Sequence, residues 1–456
     1  MNLYDLLRQR GATGKPVRIG VIGAGVYSSM FISQLYSIPG MQLVGVAELD
    51  TEKAKKSCLR AGWPEEGISF TNSTNAINDA YRNKKVSLTN DAEQLIKAEL
   101  DVILEVTGVA EAGAYHAWTA LEAGKHVVMV TVEADALLGK ALKELADKVG
   151  LVYSLGYGDE PACLCEQIDW ARTSGFEVVC VGKCVPYKPE KHYSTPETGW
   201  KYYGLSEEQV TSGDYNLKMY NSFVDGTKSN TEMCSVANAC HLIPQAGGLQ
   251  YPAIEYEDLP SQLKSKAEGG ILDHNGTIEI LSSVKRDGTP LKRTLRWGTY
   301  LVFRGCSDQV IYYLRHFSRE HRILADASGE YSIIYRPTHL IGLELGISAA
   351  SVGLLGVPTG TPKVYVADVT TVAKKDLKPG DVIDGEGGYT VYGQLVQAQQ
   401  SIEGGYLPMG LSNKTKVKKN VAKDTIVTYD DVIMDESSFI YPIRKKIEEE
   451  YLNTDR

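Results

Sequence analysis

Two neighbouring carboxylates, Asp159 and Glu160, lie in the stretch Gly158-Asp-Glu-Pro161. Carboxylate oxygens are the ligands that Mg2+ and Mn2+ prefer, so this pair could hold a divalent metal ion. An acidic residue shortly before a proline is also typical of a helix start, where Asp159 could serve only as a cap. A cap does not require Glu160, and the sequence therefore predicts both residues as candidate metal ligands.

Basic residues crowd the stretch from Lys183 to His192, which includes Lys188 and Lys191. A cationic loop of this kind could capture a phosphate or carboxylate group. It could also be a solvated surface loop, which is the simpler interpretation for Lys188 and Lys191. Lys183 directly follows an apolar strand, so we predict a catalytic role for it. Lys191 and His192 are predicted to contact substrate.

The segment Asn221-Ser-Phe-Val-Asp-Gly-Thr-Lys-Ser229 leads into a predicted helix. Its Asp-Gly-Thr-Lys turn presents backbone amides together with one ammonium, an arrangement that suits an anionic oxygen. We predict that Lys228 polarises a carbonyl group and that Asp225 assists it, although Asp225 could be only a helix cap. Asn221 is a predicted substrate contact. Glu232, one turn beyond Lys228, could form an ordinary helix pair with it.

Arg336 and His339 stand at the start of another predicted helix, Pro337–Leu355. The guanidinium of Arg336 could bind a phosphate through two parallel hydrogen bonds. The imidazole of His339 could donate a proton, although a buried histidine with satisfied hydrogen bonds is an equally good interpretation. We predict a substrate-binding role for Arg336 and a catalytic role for His339.

A glycine turn near the start of the chain could bind a nucleotide. The apolar strand Val17–Ile22 runs into Gly23-Ala-Gly25, and a helix from about Ser29 to Tyr36 should follow. Gly23 permits a tight turn, Gly25 allows a pyrophosphate to approach the backbone, and amides at the helix start face the phosphates. The third fingerprint position is Ser28 rather than glycine. The predicted contacts at this turn are Gly23, Gly25, Val26 and Tyr27.

An acidic residue, Glu48, follows the second strand, Gln42–Ala47. At this place in dinucleotide folds it would accept hydrogen bonds from the adenosine ribose and disfavour a 2′-phosphate, which favours NAD. Lys53, Lys55 and Lys56, one turn on, could instead bind a 2′-phosphate or form a solvated helix face. NADPH is therefore the predicted cofactor with NADH open. Three further residues are predicted to contact it at the ends of later strands: Thr107, Gly108 and Glu133.

Alternating strand and helix patterns extend to residue 156 and position these groups. Gly62–Asn90 interrupts them as a polar insertion that ends in an extended piece. The pattern predicts a doubly wound α/β domain over residues 1–157. Residues 158–358 are predicted to form an α+β catalytic domain, in which Gly276–Ser283 and Thr299–Arg304 are antiparallel strands and the helix 337–355 packs back on the first domain. Residues 359–456 are predicted to form a small β-rich domain, because Val372–Ile383 is similar to Val417–Thr428.

The composition is that of a globular protein, with 456 residues, 43% apolar residues and a net charge of −9. The acidic balance without a basic block argues against nucleic acid as a partner. Leu340–Val357 is apolar but contains Glu344 and several glycines, so a membrane span is not expected. Met1–Lys15 does not resemble a signal peptide, and the eight cysteines are expected to be reduced thiols, so the predicted location is the cytoplasm.

Several of these motifs together resemble a known group. The chain is similar to the homoserine dehydrogenase-like superfamily and, more closely, to 1-deoxy-D-xylulose 5-phosphate reductoisomerase-like oxidoreductases with a C-terminal SAF domain, a β-clip module. The matching stretches are Gly23-Ala-Gly25, Val132-Glu-Ala-Asp135, Gly158-Asp-Glu-Pro161, Asn221–Ser229, Tyr335–Glu344 and Asp384–Tyr392.

This resemblance implies an NAD(P)H-dependent oxidoreductase that acts on a small phosphorylated or acidic hydroxy-ketone, with Mg2+ or Mn2+ as a further cofactor and a homodimer as the assembly. Reductoisomerisation of 1-deoxy-D-xylulose 5-phosphate is the most specific expectation. A dehydrogenase of a sugar acid or branched polyol and a nucleotide-binding protein without catalysis are the alternatives. Homoserine dehydrogenases have an Asn-Lys pair where this chain has Val132-Glu-Ala134, which argues against that activity.

Overall fold

The computed structural model describes residues 2–211 and 215–454, which form two compact units. The first unit contains residues 1–162, 340–362 and 442–449, and the second contains residues 163–339, 363–441 and 450–456. The predicted division into three domains stays a prediction. In the structure, residues 363–441 group with residues 163–339.

The first unit is built on a seven-stranded parallel sheet with the order β3-β4-β2-β1-β5-β6-β7. This sheet and its helices confirm the predicted Rossmann-type α/β fold. The strands are β1 (Val17–Ile22), β2 (Met41–Ala47), β3 (Ile68–Phe70), β4 (Val86–Thr89), β5 (Val102–Glu105), β6 (His126–Met129) and β7 (Tyr153–Leu155).

The second unit contains a six-stranded sheet, in which β8 pairs with β11 on one side and with β9 and β10 on the other. Two antiparallel ladders, β14–β15 and β16–β17, follow. The strands are β8 (Glu177–Val185), β9 (Thr277–Ile278), β10 (Leu281–Ser282), β11 (Thr299–Arg304), β12 (Leu324–Ala325), β13 (Tyr331–Arg336), β14 (Ala367–Ala373), β15 (Val391–Gln397), β16 (Lys416–Val417) and β17 (Val432–Ile433).

Most helices are short and connect these strands. They are α1 (Leu3–Ala12), α2 (Val26–Leu35), α3 (Thr51–Arg60), α4 (Thr74–Arg82), α5 (Ala92–Ile96), α6 (Ala110–Glu122), α7 (Val132–Lys148), α8 (Glu160–Thr173), α9 (Pro196–Tyr203), α10 (Glu207–Thr211), α11 (Leu217–Asp225), α12 (Thr227–Cys240), α13 (Leu259–Gln262), α14 (Asp308–Arg319), α15 (Gly346–Ala350), α16 (Ala398–Glu403) and α17 (Ile440–Thr454). Among the described residues, none of these helices combines the length and the apolar character that a membrane span requires.

The core of the first unit takes in residues from distant parts of the chain. Leu345 and Val352 are buried in one apolar cluster with side chains of β1 and α2. Arg444, in the part of α17 that belongs to this unit, is fully buried. Its Nη1 donates to the Leu137 carbonyl of α7 at 3.2 Å, and its Nε donates to Glu448 at 2.9 Å.

Two strand predictions are wrong. Residues 62–90 are not an insertion, because they supply β3, α4 and β4 of the main sheet. Short strands flanked by polar turns gave too weak a pattern to reveal this. The stretch 276–283 contains β9 and β10, which run parallel to β8 rather than antiparallel. A long connection through α12 separates them from β8, and such a crossover returns the chain in the same direction.

The predicted helix 337–355 is also wrong in its first half. The α-helix begins only at Gly346, and a π-helical turn continues it over Ser351–Leu355. Gly342 interrupts the earlier part with φ of +75°, a left-handed conformation that an α-helix does not contain. Arg336 therefore ends β13, and His339 lies in a loop instead of on a helix.

The segment after residue 362 is anchored to α12. Gly393 N donates to Thr227 Oγ1 and Leu395 N donates to Asn230 Oδ1, both at 2.8 Å. The two similar segments of the sequence also pair with each other, because Leu377 and Val421 exchange backbone hydrogen bonds. The C-terminal antiparallel strands are consistent with the predicted β-rich region.

Candidate functional site

The glycine turn of the first unit has the shape that a dinucleotide requires. Gly23 has φ of +103°, and a Cβ there would lie 2.8 Å from the Val106 carbonyl oxygen. Gly25 differs, because a Cβ on it would meet no protein atom within 4 Å. Gly25 is also the N-cap of α2, and no side chain caps that helix. Open backbone at an uncapped helix start suits a pyrophosphate, so these residues fit NAD(P).

The remaining predicted cofactor residues of the first unit lie at the start of α2, shortly after β5 and in the first turn of α7. Val26 is exposed and Tyr27 is half-buried at the start of α2, and the Thr107 backbone lies against Gly23. Gly108 N donates to Thr131 Oγ1 at 2.9 Å, and the Thr131 hydroxyl donates to the fully buried Glu105. Glu133 is buried in the first turn of α7. Their roles in cofactor binding stay predictions.

Glu48 is tied to the glycine turn. Its Oε2 accepts a hydrogen bond from Ala24 N at 2.7 Å and lies 3.9 Å from Lys53 Nζ. A carboxylate at this position disfavours the 2′-phosphate of NADP, whereas Lys53 would attract it. The geometry thus leaves both cofactors open, and the roles of Glu48 and Lys53 in the choice between them stay predictions.

The Glu48→Gln variant is expected to bind NADPH about tenfold more tightly than the wild-type protein, since removing one like charge is worth about 1.4 kcal/mol. Glutamine keeps an oxygen that can accept from Ala24 N, so the turn should be preserved. The measurement is the Kd of NADPH and NADH by nicotinamide fluorescence. Glu52→Gln, an exposed acid on α3, is the control. An unchanged ratio of the two Kd values would contradict the role of Glu48.

Asp159 and Glu160 are both buried, at 6% exposure each. Gly158 before them has φ of +94°, and a Cβ there would lie 3.0 Å from the Leu340 carbonyl oxygen. A turn that requires glycine therefore fixes two adjacent carboxylates against the segment that begins at Leu340. Buried carboxylate oxygens fit a hard divalent cation, and the metal stays a proposal.

Lys183 lies within β8 and is buried, in contrast to the loop position predicted for it. Its Nζ donates to Glu232 on α12, and both side chains are almost inaccessible to solvent. Glu232 thus has a partner on a different element from the helix pair with Lys228 that its spacing suggested. A buried ammonium–carboxylate pair is costly to desolvate and is retained where it has a specific use.

Asp225 forms a second buried ion pair. Its Oδ2 accepts from Lys374 Nζ at 2.8 Å, and its Oδ1 accepts from Thr227 N at 2.9 Å at the start of α12. Lys374 Nζ also donates to the carbonyls of Ser194 and Gly388, at 2.8 and 2.7 Å. Burial raises the pKa of the Asp225 carboxyl, and the Lys374 ammonium opposes that rise. This geometry favours a structural role over the catalytic one predicted for Asp225.

His192 is enclosed rather than presented to a substrate. Its Nδ1 lies 2.7 Å from the Asp225 carbonyl oxygen, and its Nε2 lies 2.8 Å from the Tyr187 hydroxyl. The ring stacks on Tyr392 with centroids 4.6 Å apart. Burial lowers the pKa of the imidazole. With both ring nitrogens engaged, direct substrate binding by His192 is not favoured.

The other predicted residues of the second unit divide by burial. Asn221 is fully buried, and its Nδ2 donates to the carbonyls of Ser194 and Gly387, so it locks backbone segments together. Lys191 is half-buried, donates to the Pro186 carbonyl at 2.6 Å, and has a pKa lowered by burial. Lys228 is the only residue of α12 that is not buried, and its contact with substrate stays a prediction.

Arg336 and His339 are held by their own surroundings. Arg336 Nε donates to the Thr338 carbonyl at 3.0 Å, and its Nη1 lies 3.3 Å from Cys163 Sγ. His339 Nδ1 lies 3.1 Å from the Trp297 carbonyl oxygen, which can only accept, so Nδ1 carries a proton. Trp297 is half-exposed with φ of +68°, a strained conformation for a residue with a side chain.

Sequence reasoning missed two residues of this region, Lys374 and Tyr187. Lys374 lies 149 residues from Asp225 in the chain, and no local spacing connects them. Tyr187 is within the basic stretch 183–192, where the predicted contacts were assigned to the basic residues. A tyrosine placed between cationic residues in a loop was the signal that could have identified it.

Comparison with protein families gives matches to both units. Residues 19–154 match the NAD binding domain of homoserine dehydrogenase, and residues 158–345 match the catalytic domain of oxidoreductase DRL. The chain carries an NAD-binding domain followed by an oxidoreductase catalytic domain. The predicted NAD(P)-binding unit and oxidoreductase class are thereby confirmed, whereas reductoisomerase specificity and a SAF domain are not among the matches. No curated protein matches the chain significantly.

Solved structures show weaker likeness to this oxidoreductase. Biliverdin reductase from Synechocystis sp. PCC 6803 shares 21% identity, with 38% of this chain and 49% of that chain covered and a TM-score of 0.26. UDP-N-acetylglucosamine 3-dehydrogenase from Acidithiobacillus ferrooxidans shares 19% identity, with 38% and 49% covered and a TM-score of 0.26. This chain therefore spans about half the length of those proteins. At these TM-scores the likeness carries no argument about function.

Proposed function

We propose that this protein is an NAD(P)H-dependent oxidoreductase of a small phosphorylated or acidic hydroxy-ketone. The specific reaction proposed is reductoisomerisation of 1-deoxy-D-xylulose 5-phosphate to 2-C-methyl-D-erythritol 4-phosphate. The observation that carries the oxidoreductase proposal is the glycine turn, where Gly23 accepts no Cβ and Gly25 leaves room for a pyrophosphate. The match of residues 158–345 to the catalytic domain of oxidoreductase DRL supports the reaction class.

The reduction adds a hydride from NAD(P)H to a carbonyl carbon and a proton to its oxygen. The cofactor supplies the hydride, so the chain must bind the substrate, orient it and stabilise charge on the oxygen. Lys228, at the start of α12, can polarise the carbonyl, and Lys183 holds positive charge inside the second unit. Asp159 and Glu160 would hold Mg2+ or Mn2+, which would supply Lewis acidity.

The test is consumption of NADPH and of NADH with 1-deoxy-D-xylulose 5-phosphate, with and without Mn2+, and identification of the product by mass spectrometry. Turnover to the branched polyol phosphate is the expected result. Absence of turnover, together with activity on another sugar-derived substrate, would reject the specific reaction and keep the oxidoreductase. If the protein bound neither NADPH nor NADH, both the specific reaction and the oxidoreductase proposal would be rejected. The proposed homodimer is tested separately by light scattering.

The Lys183→Met variant is expected to lower kcat by at least 100-fold and to reduce the free energy of unfolding by about 3 kcal/mol, because Glu232 is then buried without its counter-charge. Adding Glu232→Gln should restore much of the stability but not the activity. Steady-state kinetics and chemical denaturation of both variants check this. Recovery of kcat in the double variant would show that Lys183 serves folding only.

A further inference from the structure

A hydrogen-bonded chain runs from the start of α12 to the loop after β8. The Asp225 carbonyl meets His192 Nδ1 at 2.7 Å, and His192 Nε2 meets the Tyr187 hydroxyl at 2.8 Å. A carbonyl oxygen only accepts, so Nδ1 carries the proton and Nε2 of the neutral ring has a lone pair. The Tyr187 hydroxyl must therefore donate to Nε2. In this arrangement the tyrosine oxygen can take up a second proton as its own proton leaves.

The surroundings hold these groups rigidly. Tyr187 stacks on Tyr251 with ring centroids 3.9 Å apart and an interplanar angle of 12°. Asn230 Nδ2 donates to the Tyr251 hydroxyl at 3.0 Å. On the other side, Tyr392 stacks on His192, and Lys374 fixes Asp225, whose carbonyl orients the imidazole. Tyr392 and Lys374, which belong to residues 363–441, thus help to position His192 and its partner Tyr187.

Tyr187 is more accessible than Tyr251 and Tyr300, two tyrosines of the same unit. Tyr251 and Tyr300 are buried, and the Tyr300 hydroxyl donates to the Glu279 carbonyl at 2.8 Å. Tyr187 is only half-buried, and the Arg286 guanidinium lies 4.8 Å from its ring centroid. A nearby cation stabilises negative charge on the phenol or on a bound anion. Tyr187 thus combines partial exposure with a hydrogen bond to His192 Nε2.

We propose that Tyr187 exchanges a proton with a hydroxyl group of the substrate and that His192 receives the proton that Tyr187 gives up. This proposal rests on the proposed function and adds an acid–base residue to it. The substrate O–H bond breaks, a new O–H bond forms on Tyr187, and the former Tyr187 proton binds Nε2. The substrate keeps the electron pair as an alkoxide. The imidazolium still donates through Nδ1–H to the backbone carbonyl oxygen of Asp225. When an alkoxide later forms on the substrate, both protons move back.

The Tyr187→Phe variant removes only the hydroxyl and keeps the ring on Tyr251. Its kcat is expected to fall by about 100-fold, while the Kd of NADPH stays unchanged and the melting temperature falls by only the few degrees that one lost hydrogen bond costs. The matched control is Tyr193→Phe, an exposed tyrosine of the same loop that donates to Asp424, for which activity should stay within twofold. A loss of less than threefold in Tyr187→Phe would overturn the proposal.

The pH profile separates a proton-transfer role from a structural one. The charged groups that face His192 are Asp225, Lys374 and Asp424, and those that face Tyr187 are Arg286 and Glu190. Neutral His192 is the proton acceptor, and burial lowers its pKa, so wild-type kcat should rise to a plateau on the acidic side of pH 7. Tyr187→Phe should lose this step. A profile that keeps the step in Tyr187→Phe would overturn the proposal.

A measurement without substrate distinguishes failure of this proposal from failure of the proposed function. Nitrogen-15 NMR of labelled histidine reports which ring nitrogen is protonated. His192 is expected as the Nδ1–H tautomer, with an Nε2 resonance that shifts in Tyr187→Phe. A His192 ring protonated on Nε2 would overturn the inference even if the reductoisomerase reaction were found. The expected tautomer without turnover of the phosphorylated ketose would reject that substrate alone.

Discussion

Replacing Gly25 with alanine is expected to abolish NAD(P)H binding without changing the stability of the protein. The added methyl group meets no protein atom within 4 Å, so folding has no steric cost. It would occupy the space through which a pyrophosphate must approach the backbone of the turn. Titration of reduced nicotinamide fluorescence and a thermal melt of the same sample measure the two quantities.

The matched variant is Gly23→Ala, two residues earlier. Its Cβ would lie 2.8 Å from the Val106 carbonyl oxygen, and its φ of +103° is unfavourable for alanine. We expect a loss of about 2 kcal/mol or more of unfolding free energy in addition to lost binding. If Gly25→Ala still bound the cofactor with the wild-type Kd, this turn would not be the pyrophosphate site.

Replacing Lys374 with methionine is expected to destabilise the protein by about 3–5 kcal/mol, because Asp225 would remain buried without its counter-charge. The Asp225 pKa is already raised by burial, and losing the ammonium should raise it further. The native state then binds a proton that the unfolded chain releases, so its stability increases as the pH falls. The loss relative to the wild-type protein should therefore be smaller at pH 5 than at pH 8.

Denaturant unfolding at both pH values measures this effect. Adding Asp225→Asn to Lys374→Met should recover part of the loss, since asparagine keeps an oxygen for Thr227 N. Lys375→Met, an exposed neighbour, is the control and should change stability by less than about 0.5 kcal/mol. Equal losses in Lys374→Met and Lys375→Met would show that the buried pair does not stabilise the fold.

Features with a local cause could be predicted from the sequence. The order of strand, glycine turn and helix around Gly23 and Gly25 depends on neighbouring residues, and the seven-stranded sheet confirms it. Glu48 follows from its place after β2. By contrast, β3 is a short strand that gains stability from the sheet rather than from its own pattern, and it was not predicted. Val86–Thr89 was predicted only as the extended end of an insertion, whereas the structure places it in the main sheet as β4.

Contacts between distant residues were beyond sequence reasoning. The stretch 183–192 indicated positive charge but not that Lys183 is buried beside Glu232, which lies 49 residues away. The partner of Asp225 is Lys374, which directly follows β14. The tautomer of His192 depends on the backbone carbonyl of Asp225, and no sequence motif indicates that contact. Such contacts form only when distant segments pack together, and a single sequence does not show which segments do so.

The burial of Arg444 against α7 has a consequence for biosynthesis. The nucleotide-binding unit includes residues 340–362 and 442–449, so its core is incomplete while the ribosome is still translating those segments. Domains commonly fold in order as they emerge, the N-terminal one first. Here the unit that begins first receives its last segment only when residue 449 has been translated.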